Sequence, residues 1–267
     1  MKRIHIVGAG PRTGTTLMAE MAIACFKIDL YTEHEDNIYT LPSRKAEIFL
    51  TKKPRDILVV GPMLWAMPDL YIIYMLRDPR DSITSKHRKD PQRYWAGLRY
   101  WKTYTIYGEK LQNHPRFITI RYEDLVTKPD EVQAKLIEKM PFLEKVAPFS
   151  RYHEVAKPSD NSLKALGSLR PIGPGSVGKW RKHLPRVAGQ LQKHGSIAED
   201  LIKYGYEQDS TWLKELENVT PDLSESRWPE YFTPEELRQR MRGKYIFPIL
   251  TRMGLMPLYK LLREWIK

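Results

Sequence analysis

The stretch that decides the fold runs from Met1 to Thr16 and reads MKRIHIVGAGPRTGTT. Its first half holds a short β-rich run at residues 4–7, and glycines then recur between residues 8 and 14. Apolar residues at helical spacing follow from Leu17 to Phe26. This order of patterns predicts a strand, a glycine-rich loop and a helix.

The loop between the predicted strand and helix has the features of an anion site. A glycine-rich turn points successive backbone N–H groups at one place, and the start of a helix adds its dipole. Arg12 contributes a full positive charge, and Thr13, Thr15 and Thr16 contribute hydroxyl donors. We therefore expect a phosphate or a similar oxyanion to bind here.

Two common phosphate loops fit this stretch poorly or loosely. The P-loop of kinases and ATPases needs a lysine directly after its last glycine, whereas Thr15 follows Gly14 here. A dinucleotide loop needs G-x-G-x-x-G and an acidic residue about 20 positions later. This chain has G-x-G-x-x-x-G, with Glu33 or Glu35 as the acid. An NAD(P)-binding oxidoreductase thus remains an alternative.

A third pattern fits better. The segment Pro11 to Thr16, Pro-Arg-Thr-Gly-Thr-Thr, resembles the 5′-phosphosulfate loop of sulfotransferases that use 3′-phosphoadenosine 5′-phosphosulfate (PAPS), usually Pro-Lys-Ser-Gly-Thr-Thr. Arginine replaces the usual lysine at position 12. The resemblance implies that one end of the donor is bound by Arg12, Thr13, Gly14, Thr15, Thr16 and Leu17.

A second motif starts where the apolar run Leu70 to Leu76 ends. Arg77 follows that predicted strand, and Pro79 is a favoured first residue of a helix. A helix over residues 79–89 would place Ser85 two turns along, so that Arg77 and Ser85 face one anion. The pair resembles the 3′-phosphate motif of the same sulfotransferases, which implies that both residues bind the 3′-phosphate.

Two later segments extend the resemblance. Tyr122, in Ile120 to Leu125, is similar to the Tyr of the family's Tyr-Glu-Asp element, which lies near the nucleotide. The segment Arg170 to Lys182 looks like the family's Arg-Lys-Gly-x-x-Gly-x-Trp-Lys loop, in which Gly175, Gly178 and Trp180 match. The expected Arg-Lys pair is Gly173-Pro174 here, and Arg170 or Ser176 is the candidate replacement.

The wider pattern alternates predicted strands and helices. Continuous apolar runs at residues 57–60 and 70–76 are typical of strands buried on both faces of a parallel sheet. Further strands are expected at 28–31 and 117–122, and helices at 41–50, 79–89, 92–111, 131–140 and 183–204. This order predicts an α/β fold, a doubly wound parallel sheet flanked by helices, with ligands at the carboxyl ends of the strands. The resemblance implies the P-loop NTPase-like sulfotransferase version of that fold.

The character of the chain changes after Asp209. We expect residues 1–208 to form the sulfotransferase α/β domain and residues 209–267 a helical C-terminal extension packed on or beside it. Residues 233–242 begin with Thr-Pro-Glu-Glu, a helix start signal. Residues 245–267 mix aromatic and aliphatic side chains with Lys and Arg. Packing on the domain is the favoured interpretation, and a membrane-surface or partner helix is the other.

The net charge, the cysteine count and the lack of long apolar runs limit which partners and which cell compartment we expect. A net charge of +12 with a pI near 9.6 indicates an anionic partner, such as a nucleotide, nucleic acid, a membrane surface or an acidic glycan. A single cysteine, Cys25, excludes a disulfide framework and a cysteine-based metal site. The sequence shows neither a leader nor a transmembrane run of about 18 to 20 apolar residues, which predicts a cytoplasmic protein.

The expected chemistry also needs specific residues. Sulfuryl transfer leaves negative charge on the bridging oxygen, which Arg12 and the N–H groups of residues 13–16 would stabilise. The acceptor needs a base, and the resemblance implies a His or a Glu, in glycan-modifying members a Glu shortly after the first helix. Glu35 is favoured, with His34 and Glu33 behind it, and a solvated acidic loop is the competing interpretation. We expect no metal.

The sequence therefore favours an enzyme that moves a sulfuryl group from PAPS to a hydroxyl or amine of a glycan or small natural product, without a nucleic-acid partner. Two rivals stay open: the NAD(P)-binding oxidoreductase, and a non-catalytic basic module that binds glycans or nucleic acid. The acceptor and the oligomeric state are not predicted.

Overall fold

A computed structural model describes residues 1–87 and 90–265, except for the side chains of His34 and of residues 263–265. The strands are β1 (Lys2–Gly8), β2 (Leu30–Glu35), β3 (Ile48–Lys52), β4 (Leu70–Leu76), β5 (Lys86–His87), β6 (Asp90–Tyr94) and β7 (Phe117–Arg121). The helices are α1 (Thr15–Cys25), α2 (Val60–Ala66), α3 (Pro79–Ile83), α4 (Leu98–Glu109), α5 (Tyr122–Thr127), α6 (Pro129–Lys139), α7 (Tyr152–Val155), α8 (Asp160–Leu166), α9 (Leu184–His194), α10 (Ala198–Lys203), α11 (Pro234–Met241), α12 (Phe247–Arg252) and α13 (Met256–Trp265). Turns of 3₁₀ helix lie at Pro54–Val59, Phe149–Arg151, Lys179–His183 and Thr211–Leu216, and a π-helical turn, Arg242–Ile246, joins α11 to α12.

Within the described chain, five strands form a parallel sheet in the order β2-β3-β1-β4-β7. Alternate residues of β4 point to opposite faces, so Ile72 and Tyr74 join one apolar cluster while Ile73 and Met75 join the other. Helices cover both clusters. The predicted doubly wound α/β sheet is confirmed, and β5 and β6 form a separate antiparallel hairpin.

Several predicted elements are confirmed with small shifts of their ends. The apolar run at 70–76 is β4, and the strand predicted at 117–122 is β7. The helix predicted after the glycine-rich loop is α1, and the one predicted at 131–140 is α6. The second strand begins at Leu30 and continues to Glu35, so it is longer than the four residues predicted.

Two short elements were predicted wrongly. Residues 41–50 are not a helix, because Ile48 to Lys52 form β3 and bond to β1 at the centre of the sheet. Residues 57–60 are not a strand but the end of a 3₁₀ turn and the start of α2. Pro54 stands at the start of that turn, where its fixed φ suits a helical conformation. A four-residue apolar run fits either conformation, and the proline decides between them.

Three helices were predicted too long. The helix expected at 79–89 ends at Ile83, residues 86–87 belong to the β5-β6 hairpin, and residues 88–89 lie outside the described chain. The helix expected at 92–111 begins only at Leu98, after an extended Gly97. The helix expected at 183–204 is broken at Gly195, whose φ of 78° is left-handed, into α9 and α10.

Residues 209–267 contact the α/β part at several points. Trp212 is buried with its ring edge-to-face on Trp180, and the ring of Phe247 lies 4.2 Å from that of Tyr39. Helix α11 has a capping box, in which the Thr233 hydroxyl and the Glu236 carboxylate each accept a backbone N–H, so the predicted start is confirmed. Among the described residues, no helix combines the length and apolarity that a membrane crossing requires.

Candidate active site

A cavity of about 870 Å³ opens at the carboxyl ends of β1, β3 and β4. Its walls come from the loop after β1, the start of α1, the chain that follows β4, and the segment between residues 161 and 183. The parallel strands end at one edge, so loops that are far apart in sequence converge there. This is the position that the fold assigns to a ligand.

The start of α1 supplies unpaired backbone donors to this cavity. The first intrahelical amide is that of Met18, which donates to the Gly14 carbonyl over 3.0 Å. The N–H groups of Thr15, Thr16 and Leu17 precede it, and all three residues line the cavity. Gly14 is the N-cap, so no side chain closes this end, and the first turn carries no acid. The positive end of the helix dipole faces the cavity.

Arg12 has an unusual backbone conformation and a specific side-chain contact. Its φ of 67° is in the left-handed region, which costs a residue with a Cβ on the order of 1 kcal/mol or more. Its Nε donates to Ser85 Oγ over 3.0 Å, and its carbonyl accepts from Arg77 Nη1 over 2.9 Å. Burial, followed by the charge of Arg77, lowers the pKa of Arg12. An anion beside these guanidinium groups would offset that repulsion.

Arg77 is the more deeply placed cation. Its guanidinium lies 4.3 Å from the centre of the Tyr122 ring, and Nη2 donates to the carbonyl of Ser176 over 2.6 Å. Its buried Nε finds no hydrogen-bond partner among the described residues. Trp101 donates from its indole nitrogen to the Arg77 carbonyl over 3.1 Å, which fixes the backbone. A donor left over in a buried arginine is suited to a bound oxyanion.

The segment that follows Arg170 is held in place by Asp81. One carboxylate oxygen of Asp81 accepts the N–H of Gly178 over 2.8 Å, and the other accepts that of Trp180 over 2.9 Å. Burial raises the pKa of Asp81. Trp180 is buried under the guanidinium of Arg80, at 4.2 Å. Asp81 therefore positions the backbone that brings Ser176 to Arg77.

A carboxylate and a lysine stand on the other side of the α1 start. Lys52 Nζ lies 3.5 Å from Glu35 Oε1 and donates to Thr16 Oγ1 over 3.2 Å. Glu33 and Glu35 both line the cavity with exposed side chains. Lys53, the next residue, instead donates to Asn37 Oδ1 over 2.6 Å. Glu35 is thus joined through one lysine to the N-terminal end of α1.

Most of the predicted site residues line this one cavity, namely Arg12, Gly14, Thr15, Thr16, Leu17, Glu35, Arg77, Ser85, Tyr122, Arg170 and Ser176. Thr13 does not: it is fully buried, and its hydroxyl donates to the Gly10 carbonyl over 2.9 Å. Gly175 is exposed outside the lining, which its neighbours Gly173 and Ser176 enter. The side chain of His34 lies outside the described part of the structure.

Ser85 reaches the cavity by a route that differs from the predicted one. It follows the end of α3, where the Ser85 amide donates to Ser82, and its carbonyl accepts the Trp95 amide over 3.0 Å. The β5-β6 hairpin therefore holds Ser85, not a second helical turn. The expected juxtaposition of Ser85 with Arg77 is made through Arg12, which bonds to both.

One end of the cavity was missed by sequence analysis. His87 stacks on Trp95 at 4.4 Å between ring centres, and Trp228 lies 6.2 Å from Trp95. His183 also lines this end, with Nδ1 3.1 Å from the Tyr94 hydroxyl oxygen, and burial followed by the nearby Lys86 lowers its pKa. Trp95 stood in an aromatic-rich run, but nothing in the local sequence connects it with Trp228.

The family model that matches this chain is described as the Sulfotransferase family and covers residues 25–141. Over these residues, which are less than half of its length, the chain is similar to the sulfotransferase family. The matched part contains Arg77, Ser85 and Tyr122 and begins after the Arg12 loop, whose geometry is given above. A comparison with curated protein sequences gave no match.

Several solved structures resemble this protein distantly. The sulfotransferase domain of the Synechococcus PCC 7002 olefin synthase is 16% identical, with 67% of this chain and 87% of that chain covered and a TM-score of 0.44. Retinol dehydratase in complex with androsterone and the inactive cofactor PAP is 12% identical (86% and 84% covered, TM-score 0.41). The sulfotransferase domain of the curacin biosynthetic pathway is 14% identical (91% and 97% covered, TM-score 0.40).

The part of this protein that the structure describes contains no group of three or more His, Cys, Asp or Glu side chains placed to hold a metal ion.

Proposed function

We propose that this protein is a sulfotransferase that takes its sulfuryl group from PAPS and transfers it to a hydroxyl of a glycan or a small natural product. The observation that carries the proposal is the contact of Arg12 with both Ser85 and Arg77. It joins a helix N-terminus, which suits one phosphate group, to a buried arginine, which suits another. PAPS carries phosphate at both its 5′ and 3′ positions.

The residues present fit such a donor at both ends. The amides of residues 15–17, the Thr16 hydroxyl and Arg12 would hold the 5′-phosphosulfate. Arg77, Ser85 and the segment around Ser176 would hold the 3′-phosphate, and the buried Arg77 Nε is an unused donor there. Arg170 also reaches the cavity and adds a cation where the family's Arg-Lys pair is missing.

The chemistry follows from where the charges lie. During in-line transfer, the acceptor oxygen forms a bond to sulfur while the bond from sulfur to the bridging oxygen breaks, and its electron pair stays on the 5′-phosphate. Arg12 and the helix amides stabilise this developing negative charge. Glu35 takes the proton of the acceptor hydroxyl, and Lys52, between Glu35 and Thr16, keeps that carboxylate close to the reacting end.

The acceptor would enter between the acidic edge and the aromatic end of the cavity. Trp95, Trp228 and His87 offer flat faces, which suit a sugar ring or another planar molecule. Lys86 and Lys179 line the same cavity and favour an acceptor that carries negative charge. In this proposal, the C-terminal extension contributes to acceptor binding, because its Trp228 lines the part of the cavity that would hold the acceptor.

The test is a calorimetric titration of the purified protein with 3′-phosphoadenosine 5′-phosphate and, separately, with NADPH. We expect binding of the bisphosphate, and a loss of about 100-fold in affinity in Arg77→Ala. Arg181→Ala is the matched control, because this exposed arginine pairs with Glu215 and does not line the cavity. Binding of NADPH alone would overturn the proposal in favour of an oxidoreductase.

A further inference from the structure

The last helices expose an unusual number of large apolar side chains. Eight of them are between 45% and 64% exposed, and together they are called the C-terminal apolar stripe: Leu237, Met241, Ile246, Ile249, Met253, Leu258, Leu261 and Leu262. Single exposed apolar residues are normal on soluble proteins, whereas series of this kind mark interaction surfaces. The stripe plays no part in the site described above.

The spacing of these residues shows that the helices are amphipathic. Leu258, Leu261 and Leu262 are three and four residues apart and therefore share one face of α13. Ile249, on α12, and Met253, the C-cap residue of that helix, are likewise four residues apart. Other side chains of the same helices already pack inward: Phe247 and Met256 are buried, and Tyr259 meets the ring of Phe247 at 5.5 Å. The stripe is a second apolar face, left over after packing.

Most of the charges that accompany the stripe are positive, and the acids of α11, Glu235 and Glu236, stand before its first member, where Glu235 pairs with Arg238. Between Leu237 and Leu262 the sequence has six cations and no acid; the cations are Arg238, Arg240, Arg242, Lys244, Arg252 and Lys260. Some of them lie on aromatic rings instead of carboxylates, such as Arg252, whose guanidinium is 5.4 Å from the Trp65 ring. Trp65 is itself 59% exposed and adds an amphipathic ring to this side of the molecule.

We propose that the C-terminal apolar stripe docks on the surface of an anionic lipid bilayer, with its leucine, isoleucine and methionine side chains in the acyl boundary and its cations among the headgroups. An amphipathic helix with aliphatic residues on one face and Lys and Arg elsewhere has the composition of an interfacial membrane helix. Helices as short as α12 and α13 suit a position in the interface plane.

The same charges argue against two other occupants. A second copy of the chain would bring six cations of one stripe against six of the other, with no acid between Leu237 and Leu262 to offset them. A nucleic acid would satisfy the cations but give the aliphatic side chains nothing to bury against.

The stripe adjoins the acceptor end of the cavity. Glu236, on α11, forms an ion pair with Arg55, whose guanidinium lies 5.4 Å from the Trp228 ring. Docking would therefore bring the Trp228 end of the cavity near the bilayer. The inference does not rest on the proposed function, because lipid binding needs neither donor nor acceptor.

The test is flotation of the full chain with vesicles of phosphatidylcholine alone and of phosphatidylcholine with phosphatidylglycerol. We expect binding to the anionic vesicles, weakened by high salt, and little binding to the neutral ones. The variant Leu258→Asn/Leu261→Asn/Leu262→Asn should lose about tenfold or more in vesicle affinity. The control, Ile202→Asn/Leu223→Asn, changes exposed apolar residues outside the stripe and should bind like the wild type.

The outcomes are distinguishable. Equal binding to both vesicle types, binding to neither, or full binding by the triple variant overturns the proposal. Sedimentation of the lipid-free chain gives a further check: a dimer that the triple variant dissociates would assign the stripe to a second copy. The comparison of neutral with anionic vesicles uses the wild-type chain, so it tests the proposal even if the triple variant does not fold. Titration with 3′-phosphoadenosine 5′-phosphate tests ligand binding in the cavity separately.

Discussion

Arg12 donates from Nε to the hydroxyl oxygen of Ser85 over 3.0 Å, across 73 positions of sequence. The contact ties the loop after β1 to the chain that leads into the β5-β6 hairpin. Arg12 and Ser85 both line the cavity, so a ligand that moves one of these side chains would also move the other. The contact therefore fixes the direction of the Arg12 side chain along the cavity wall.

Replacement of Arg12 by alanine should lower kcat/KM by about 10² to 10³-fold, because the leaving group loses its nearest full positive charge. Arg12→Lys restores the charge and should retain most of the activity. The measurement is steady-state transfer from PAPS, with Arg181→Ala as the control. If Arg12→Ala stayed within a factor of about two of the wild type, the assigned role of this guanidinium would be wrong.

Glu35→Gln should lower kcat by about 10² to 10⁴-fold, because an amide cannot take the proton of the acceptor. Binding of 3′-phosphoadenosine 5′-phosphate should be nearly unchanged. Glu33→Gln, which changes the competing candidate two residues away on the same strand and also in the cavity lining, should retain the activity. If His34→Gln lost the activity and Glu35→Gln kept it, the base would be the histidine.

Asp81→Asn should loosen the segment that carries Ser176. The amide side chain offers one acceptor to the N–H groups of Gly178 and Trp180, so one buried donor is left unpaired. We expect a loss of about 1 to 3 kcal/mol in the free energy of unfolding and weaker binding of 3′-phosphoadenosine 5′-phosphate. Urea unfolding and calorimetry measure the two effects, and Asp124→Asn, at an exposed position, is the control. Unchanged binding would show that Asp81 does not position this wall.

The buried His5 should make stability depend on pH. It lies inside the sheet with Nδ1 2.7 Å from Thr51 Oγ1, and burial lowers its pKa in the folded state. Below about pH 6.5 the unfolded chain therefore takes up a proton that the folded chain excludes. The contribution of His5 to the free energy of unfolding should be at its full value above that pH and should fall as the pH drops below it.

The check on His5 is urea unfolding at about pH 7.5 and about pH 5.5. His5→Gln removes the titrating ring, so the difference between the two pH values should shrink even though the variant is less stable at both. An equal difference in wild type and variant would assign the pH dependence to other groups.

The parts of the site that were predictable are those encoded over short distances. The Arg12 loop depends on glycines and threonines that are neighbours in sequence. Arg77 follows β4, a strand that is predicted by the continuous apolar run at residues 70–76. Trp228 has no such local signature, and the Lys52-Lys53-Pro54 sequence, which resembles a Lys-x-Pro element near the acceptor side in related enzymes, does not predict that Lys52 contacts Thr16. Lys52 reaches Thr16 because β3 lies beside β1, and Trp228 reaches Trp95 because residues 209–267 fold back on the domain. Their roles depend on tertiary packing, which local patterns do not contain.

The errors in secondary structure have a similar origin. The run at 57–60 is apolar because α2 and its preceding turn are buried, and burial alone does not distinguish a strand from a helix. Ser85 was placed on a helix that ends too early to hold it, yet it still meets Arg12, because the hairpin returns the chain to the same edge.

Gly14 allows the Tyr122 ring to approach the start of α1 closely. A Cβ built on Gly14 would lie 2.5 Å from Cδ2 of Tyr122, so any larger residue must push that ring away. A displaced ring would also move Arg77, because the Arg77 guanidinium lies 4.3 Å from the centre of the same ring. The absence of one methyl group thus fixes the separation between the helix start and the buried arginine. In the proposed function, this fixed separation would favour donors whose two anionic ends are a matching distance apart.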